Sequence, residues 1–437
     1  MPHKLKTTDP DFAARLKTIL GARQGDDPAA AEAARGIVQD VRHRGDEAVL
    51  EYTKRFDRLS LSTGADLRLS AARIAEAAAE CPTNIKDALA FAAERIRNFH
   101  AYQKPADLLL DQPDNMRLGY RFTPMAAVGL YVPGGTAAYP SSLLMNAIPA
   151  QVAGVERIAV VVPTPDDALS PALAAALELL ELNEIYRIGG AQAVAALAHG
   201  TATIAPVDLV VGPGNAYVAA AKREVYGTVG IDSLAGPSEI LVIADQTSNP
   251  AWIAADLLSQ AEHDTEAQSI LITDDADFAE QVTQEVEQQL VALPRQDIAR
   301  QSWETHGAIV IVEDLVADAP ALADQIAAEH VEVVSTDEAR TEAIVAAIHH
   351  AGAIFIGGYS SEPIGDYVAG TNHVLPTAGS ARFASGLGVM NFMKRTSLIQ
   401  CSAEAFNSLA DATITLAEAE GLGAHAAAIR QRQGMSG

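Results

Sequence analysis

Three observations predict an α/β fold with parallel sheets for this chain of 437 residues. Short, continuously apolar runs alternate with helix-length segments from about residue 118 onward. Glycine- or proline-bearing turns separate them. The runs carry no polar alternation, as expected for strands covered on both faces. Strand, turn and helix in repeated succession build right-handed βαβ units. The chain is long enough for two or more domains.

The first hundred residues are mostly helical. Residues 29–57 keep helical spacing that breaks at Arg44-Gly45-Asp46, and 70–103 begin on a capping serine and restart near Pro82. Arg95, Arg97 and Lys104 fall on solvated faces. Strands follow at 126–132, 158–162, 184–188 and 207–211, with helices at 141–150, 173–182 and 216–226 and another opened by Gly189-Gly190-Ala191-Gln192. The turns are Pro133-Gly134-Gly135 and Gly212-Pro213-Gly214-Asn215. None reads G-x-G-x-x-G, so the usual dinucleotide fingerprint is absent. Two readings stay open: a pyrophosphate site at strand carboxyl ends, or simply tight βα connections.

The stretch 231–263 organises the second half. Ala-Gly-Pro at 235–237 is a turn, 239–244 (EILVIA) a buried strand, and Asn249-Pro250 starts a helix. Gln260 and His263, three apart, project from neighbouring positions on that helix. They are either a helix-end hydrogen-bond pair or metal ligands. Beyond them the pattern predicts strands at 269–273, 307–312, 331–334 and 353–356. Helices are predicted at 276–293, at 320–328 with Pro320 at the first position, and at 337–351. Residues 357–394 lack periodicity, which in a compact domain points to function. Helices at 402–419 and over the last dozen residues close the chain, with Gly421 and Gly423 between them.

Lys+Arg 31 against Asp+Glu 56 leave a net charge of −25. With no basic stripe, neither nucleic acid nor an anionic membrane is an expected partner. No apolar run reaches the roughly 18 residues of a membrane span, and the start has no signal-peptide core, so a cytoplasmic location is expected. Cys81 and Cys401 have no ligand spacing and read as small apolar residues of a reduced compartment.

Four places combine ionisable groups with turns: Gln260/His263, Glu329/His330, Asp366/His373 and Glu420/His425. No pair has a strong zinc spacing, so a metal site needs distant segments. Glu329-His330, where a helix meets an extended segment, suits acid–base work or is a surface carboxylate beside a helix-terminal histidine. On a continuous helix Glu420 and His425 point about 140° apart, and the intervening glycines favour a shared loop. His349-His350 sits in an alanine-rich helix without an acidic partner in phase and reads as structural.

Taken together, the chain resembles the histidinol dehydrogenase family from about residue 30 to 430. The resemblance rests on VGLYVPGGTAAYPSSLLMNAIPA at 128–150, EIYRIGGAQAVAALAHGT at 184–201, VVGPGNAYVAAAKREVYG at 210–227, the 231–263 stretch, AEH at 328–330 and GDYVAGTNHVLPT at 365–377. It implies two Rossmann-like parallel-sheet domains, with a helical N-terminal segment and a small helical C-terminal tail domain. The expected division is 1–25, then 26–130 with 236–385 (catalytic and metal residues), 131–235 (NAD side), and 386–437 reaching the partner subunit. It implies a homodimer with a shared active site, one zinc per subunit, and NAD-dependent oxidation of L-histidinol to L-histidine through the aldehyde. Gln260, His263, Asp366 and the partner-donated His425 match zinc ligands, and Glu329 and His330 the catalytic pair. Ser238, His373 and Glu420 match substrate positions, and Tyr131, Gln192 and Asn215 match NAD contacts. Ala328, Val331, Ser233 and Asn391 depart from the family pattern. The rival readings are a paralogous zinc/NAD dehydrogenase of another polar alcohol, such as a sulfonated diol, and a metal-dependent binding module or hydrolase on the same scaffold.

Overall fold

The computed structural model describes residues 1–21, 27–113, 115–134 and 139–433. Gly135 of the predicted 133–135 turn, the chain around the expected boundary at 25, and the last four residues of the predicted terminal helix lie outside them. The chain forms two compact units, Met1–Gln103 with Ala126–Phe392, and Lys104–Met125 with Met393–Gly437.

The first unit opens with β1 (His3–Lys6) and α1 (Phe12–Gly21). Next come α2 (Pro28–Arg44) and α3 (Asp46–Phe56), parted at Gly45, whose φ of 58° suits glycine. α4 (Ala71–Ala79) starts where Ser70 Oγ accepts the Arg73 N–H, and α5 (Thr83–Ala101) restarts after Pro82. β2 (Leu108–Asp111) and β3 (Met116–Pro124) belong to the second unit. The first unit resumes with β4 (Ala127–Tyr131), α6 (Pro140–Ala153), β5 (Arg157–Val161), α7 (Pro171–Leu179), β6 (Glu184–Tyr186), α8 (Gly190–His199), β7 (Leu209–Val211), α9 (Ala216–Val225) and β8 (Gly230–Ile231). It continues through β9 (Glu239–Ala244), α10 (Pro250–Ala261), β10 (Gln268–Thr273), α11 (Ala276–Leu290), α12 (Gln296–His306), β11 (Ala308–Ile311), α13 (Leu315–Ile326), β12 (His330–Val334), α14 (Glu338–Ala347), β13 (Ala353–Ile356) and α15 (Glu362–Tyr367). The second unit ends with β14 (Met393–Cys401), α16 (Ala403–Ala419) and α17 (Gly423–Gln433).

Two parallel sheets form in the first unit. One has the order β6-β5-β4-β7-β8, the other β1-β11-β10-β9-β12-β13. Setting aside the edge strand β1, both share one topology: the first strand in sequence is central, two follow on one side and two on the other. Each sheet therefore has a switch point beside its first strand, β4 or β9. Strands β9 and β10 are buried along their whole length, as the continuous apolar runs predict. The second unit pairs β14, β3 and β2 as an antiparallel sheet and packs α16 on α17.

Several local expectations are corrected. Pro320 lies inside α13, because Asp314 Oδ1 accepts the Val316 and Ala317 N–H groups and starts the helix a turn earlier. The predicted helix at 276–293 ends at Leu290, and α12 follows. α14 stops before His349-His350, and their acidic partner comes from another helix, α13. Asp324 accepts both of their backbone N–H groups and faces His349 Nδ1 at 3.0 Å. The helical N-terminal segment is α1, preceded by a strand, and the C-terminal tail adds a sheet to its helices. The segment 357–394 contains α15. No helix is long and apolar enough to cross a membrane among the described residues.

α10 carries a core face of Ile253, Leu257, Leu258 and Ala261 against β9, β10 and α11. Leu257 is fully buried. Leu257→Ala should cost about 2–5 kcal/mol through lost burial and the cavity left behind. This is read as a lower thermal midpoint, and an unchanged midpoint would contradict the packing described.

Candidate active site

Glu239, His330 and Ala353 are the first residues of β9, β12 and β13. A group of ionisable side chains gathers at these amino ends of the six-stranded sheet. α10 delivers Gln260 to the same end: Asn249 caps it, Pro250 takes the first position, and it runs back along the sheet to Ala261. Gln260 is fully buried, and neither its Oε1 nor its Nε2 has a hydrogen-bond partner in the structure. His263 lies in the turn just beyond the helix rather than on its face, its N–H on the Gln260 carbonyl at 3.1 Å. Desolvation by the protein packed around its ring lowers its pKa; Asp366 opposes the shift and His330 adds to it.

The Glu329-His330 pair is held from both sides. Ala327 ends α13 in a left-handed conformation (φ 49°) and turns the chain into β12. The N–H groups of Gly352 and Ala353 bond the carbonyls of Ala328 and Glu329 at 3.0 and 2.9 Å. Gly352 packs so closely that a Cβ there would lie 2.5 Å from the Glu329 carbonyl oxygen. Asn391 accepts the Gly388 N–H at 2.9 Å, a task an aspartate also performs.

Glu239 sets both members of the pair. Its N–H donates to Glu329 Oε2 at 3.0 Å, and its carbonyl faces His330 Nδ1 at 2.9 Å. A carbonyl only accepts, so Nδ1 carries the proton and Nε2 is the basic nitrogen. That Nε2 is buried, lacks a hydrogen bond of good geometry, and lies 3.5 Å from Asp366 Oδ1. Burial pushes the Glu329 carboxyl up to about 8, against the pull of His330 and the Glu239 N–H. Burial also works against a charged His330, but Glu329 and Asp366 outweigh it and raise the imidazole to about 10.

His330, Glu362 and Asp366 each offer a ligand atom within 4.8 Å of the others. Sequence reasoning misses Glu362. It stands one helical turn before Asp366 on α15, and that i,i+4 spacing of two acids is the only signal it leaves. Its N–H donates to Glu332 Oε1 at 2.7 Å, and Ser259 Oγ donates to its Oε2 at 3.2 Å. Burial, then Asp366, raises Glu362 to about 8, and burial with Asp256 raises Glu332 well above its usual range. Asp366 stays low despite burial, because His330 and His373 favour its charged form. His373 Nδ1 faces the Asp366 carbonyl at 2.9 Å, leaving Nε2 as its basic nitrogen. Ser238 is half-buried just before β9, and its carbonyl accepts the Gln268 N–H. Glu420 and His425 belong to the second unit. Glu420 caps the end of α16, Gly421 (φ 74°) makes the turn, and His425 lies in the first turn of α17, both side chains exposed.

The residues matched to NAD lie at the opposite, carboxyl ends of the five-stranded sheet. Tyr131 ends β4; its hydroxyl accepts the Gly190 N–H at 3.1 Å, and burial pushes its phenol up to about 12. Gln192, in the first turn of α8, is 1% exposed, with both amide atoms unpartnered. Asn215 caps α9, its Oδ1 accepting the Tyr217 and Val218 N–H groups. β4 and β7 flank the switch point, the usual ligand crevice of an open parallel sheet. α6, which follows β4, meets the loop that carries His373: Asn372 Nδ2 donates to the Met145 carbonyl at 2.6 Å.

Residues 21–433 match the model of the family described as histidinol dehydrogenase. A histidinol dehydrogenase of Rhodospirillum rubrum is 54% identical over 99% of each chain. One of Bradyrhizobium diazoefficiens is 56% identical over 100% of each. The crystal structure of histidinol dehydrogenase from Elizabethkingia anophelis superposes with a TM-score of 0.92 at 34% identity, covering 99% of this chain and 98% of that one. The chain belongs to the histidinol dehydrogenase family.

Proposed function

We propose that this protein oxidises L-histidinol to L-histidine in two NAD-dependent steps, on a site completed by a second copy of the chain. The observation that carries the reading is the Glu239–Glu329–His330 arrangement beside Asp366, His373 and the unpartnered Gln260, in a chain of this family.

A buried amide without a partner calls for an explanation, and a cation accepting its oxygen supplies one. Imidazole nitrogen with carboxylate and amide oxygens suits zinc. Gln260, His263 and Asp366 of one chain and His425 of its partner would hold the ion, with Glu362 beside Asp366. A zinc ion held there would supply a positive charge that orients the substrate's nitrogen-bearing ends and offsets the pull of Asp366 on His330. The unpartnered Gln192 amide likewise fits a cofactor that brings its own donors and acceptors.

The residues then act in order. His330 Nε2 takes the hydroxyl proton as a hydride leaves the carbinol carbon for NAD, giving the aldehyde. The Glu329 carboxylate, its Oε2 held by the Glu239 N–H, takes a proton from water as that water adds to the aldehyde carbon. His330, having released its first proton, removes one from the hydrate as a second hydride leaves for a second NAD. Four electrons go to two NAD, and the carboxylate remains. His373 and the Glu420 of the partner subunit present a base and a negative charge to the imidazole and ammonium ends of the substrate.

Each L-histidinol consumed should yield two NADH, with no NADH from a sulfonated diol; the reverse preference would remove the assignment. His330→Asn should lower kcat by about 10²–10⁴-fold while zinc content stays at the wild-type level. In the wild type, the base must lose a proton to act, and even with a cation offsetting Asp366 the neighbouring Glu329 raises its pKa. Turnover should therefore climb with pH above the ordinary histidine range near about 6.5; a profile flat above that range would contradict the assignment. His425→Asn should lose zinc. If sites are shared, mixing His330→Asn with His425→Asn chains should restore about a quarter of wild-type activity, since half the random pairs contain one intact site. No recovery after subunit exchange would place both residues in one chain's site.

A further inference from the structure

Lys222, near the end of α9, and Asp232, just after β8, form an ion pair with side chains only 2% and 3% exposed. Both also grip one residue between them. Asp232 Oδ2 accepts the Gly212 N–H at 2.7 Å, and Lys222 Nζ donates to the Gly212 carbonyl at 3.0 Å. Gly212 has φ 114°, and a Cβ there would lie 2.1 Å from the Tyr131 carbonyl oxygen. A residue at the carboxyl end of β7 is thus pinned three ways: by a cation on its acceptor, an anion on its donor, and the backbone of β4.

Stability alone does not account for this pair. Withdrawing two charges from water offsets most of their mutual attraction, and apolar residues of similar volume are often equally stable. An apolar pair cannot, however, satisfy the Gly212 donor and acceptor or set the direction of that peptide. The chain passes from Gly212 straight into Pro213-Gly214-Asn215, beside the switch point. Asn215 spends its Oδ1 on the N-terminus of α9.

We propose that Lys222 and Asp232 are positioning residues for the dinucleotide. They orient the Gly212 peptide and thereby the 212–215 loop, acting through Asn215 without touching the cofactor. This rests on the proposal that NAD binds at the five-stranded sheet.

The test uses the full-length protein with zinc and the double variant Lys222→Met/Asp232→Leu, which removes both charges together. NAD binding is measured by calorimetry and by the rise in thermal midpoint on adding NAD, alongside steady-state kinetics. The expected result is a wild-type zinc content and a folded protein with a lower NAD-free midpoint, since the Gly212 donor and acceptor lose their partners. The Kd and KM for NAD should be raised about tenfold, with kcat and the KM for L-histidinol at saturating NAD changed by less than about threefold. A folded double variant with wild-type NAD affinity overturns the proposal. If the double variant does not fold, Lys222→Met replaces it. This change leaves the Gly212 carbonyl without its cationic donor, and unchanged NAD affinity there overturns the proposal equally. Wild-type protein that binds no NAD by either measure would instead overturn the cofactor reading beneath it.

Discussion

One residue, Glu239, fixes the geometry of the proposed catalytic pair. The backbone of Glu239 donates to the Glu329 carboxylate and accepts from the His330 ring, while its side chain accepts the Ala378 N–H at 2.8 Å. These bonds exist because β9 and β12 are neighbours in parallel register, with His330 opposite Ile240. A slip of one residue would turn His330 to the other face of the sheet and part it from Asp366. Strand pairing therefore sets the geometry of the proposed catalytic pair. The buried strands β9 and β12, both apolar over most of their length, hold that register with the core on both faces.

The two parallel sheets have one topology and are used at opposite ends. In the five-stranded sheet the candidate residues stand at the carboxyl ends, where the switch point opens a crevice. In the six-stranded sheet the corresponding place is filled. Asp245, following β9, accepts from Thr247 and Ser335 and pairs with Arg340 at 3.0 Å, and Arg340 also pairs with Asp274. That end is thus occupied by partly buried charge pairs and hydroxyls around the buried Asp245. At the amino ends Glu239, His330 and the end of α10 converge. The contact of Asn372 with α6 joins the loop of His373 to the sheet that carries the NAD-side residues.

Much of this is legible in the sequence because strands buried on both faces leave an unmistakable apolar run. EILVIA marks β9 to the residue, and Gly45 and Pro82 mark their breaks by backbone chemistry that needs no tertiary context. Pro320 misleads because proline usually starts helices, whereas the Asp314 cap six residues earlier decides where α13 begins. The antiparallel strands β2, β3 and β14 leave no such signal. They are partly or wholly exposed, β2 is only a leucine triplet, β3 and β14 mix basic, polar and apolar residues, and β14 finds its partner nearly three hundred residues away in sequence. At the site, His330 and Asp366 stand out in the sequence, but Glu362 does not. What makes it notable is burial beside two other acids, and burial follows from the fold rather than from spacing.

The concentration of acids around Asp366 explains why an amide stands among the proposed ligands. Glu329, Glu332, Glu362 and Asp256 are held within a low-dielectric interior, and each is pushed toward its protonated form, with burial the leading cause. Asp366 keeps its charge because two histidines face it. The interior therefore presents far fewer negative charges than it has carboxyl groups. A divalent cation would draw on that reserve, displacing protons as it binds. A further carboxylate at position 260 would add one more charge to this crowded cluster, raising its neighbours further and costing another proton to displace when a cation binds. Gln260 offers an oxygen whose donor power does not depend on ionisation, so it can complete a metal shell without raising the pKa of its neighbours.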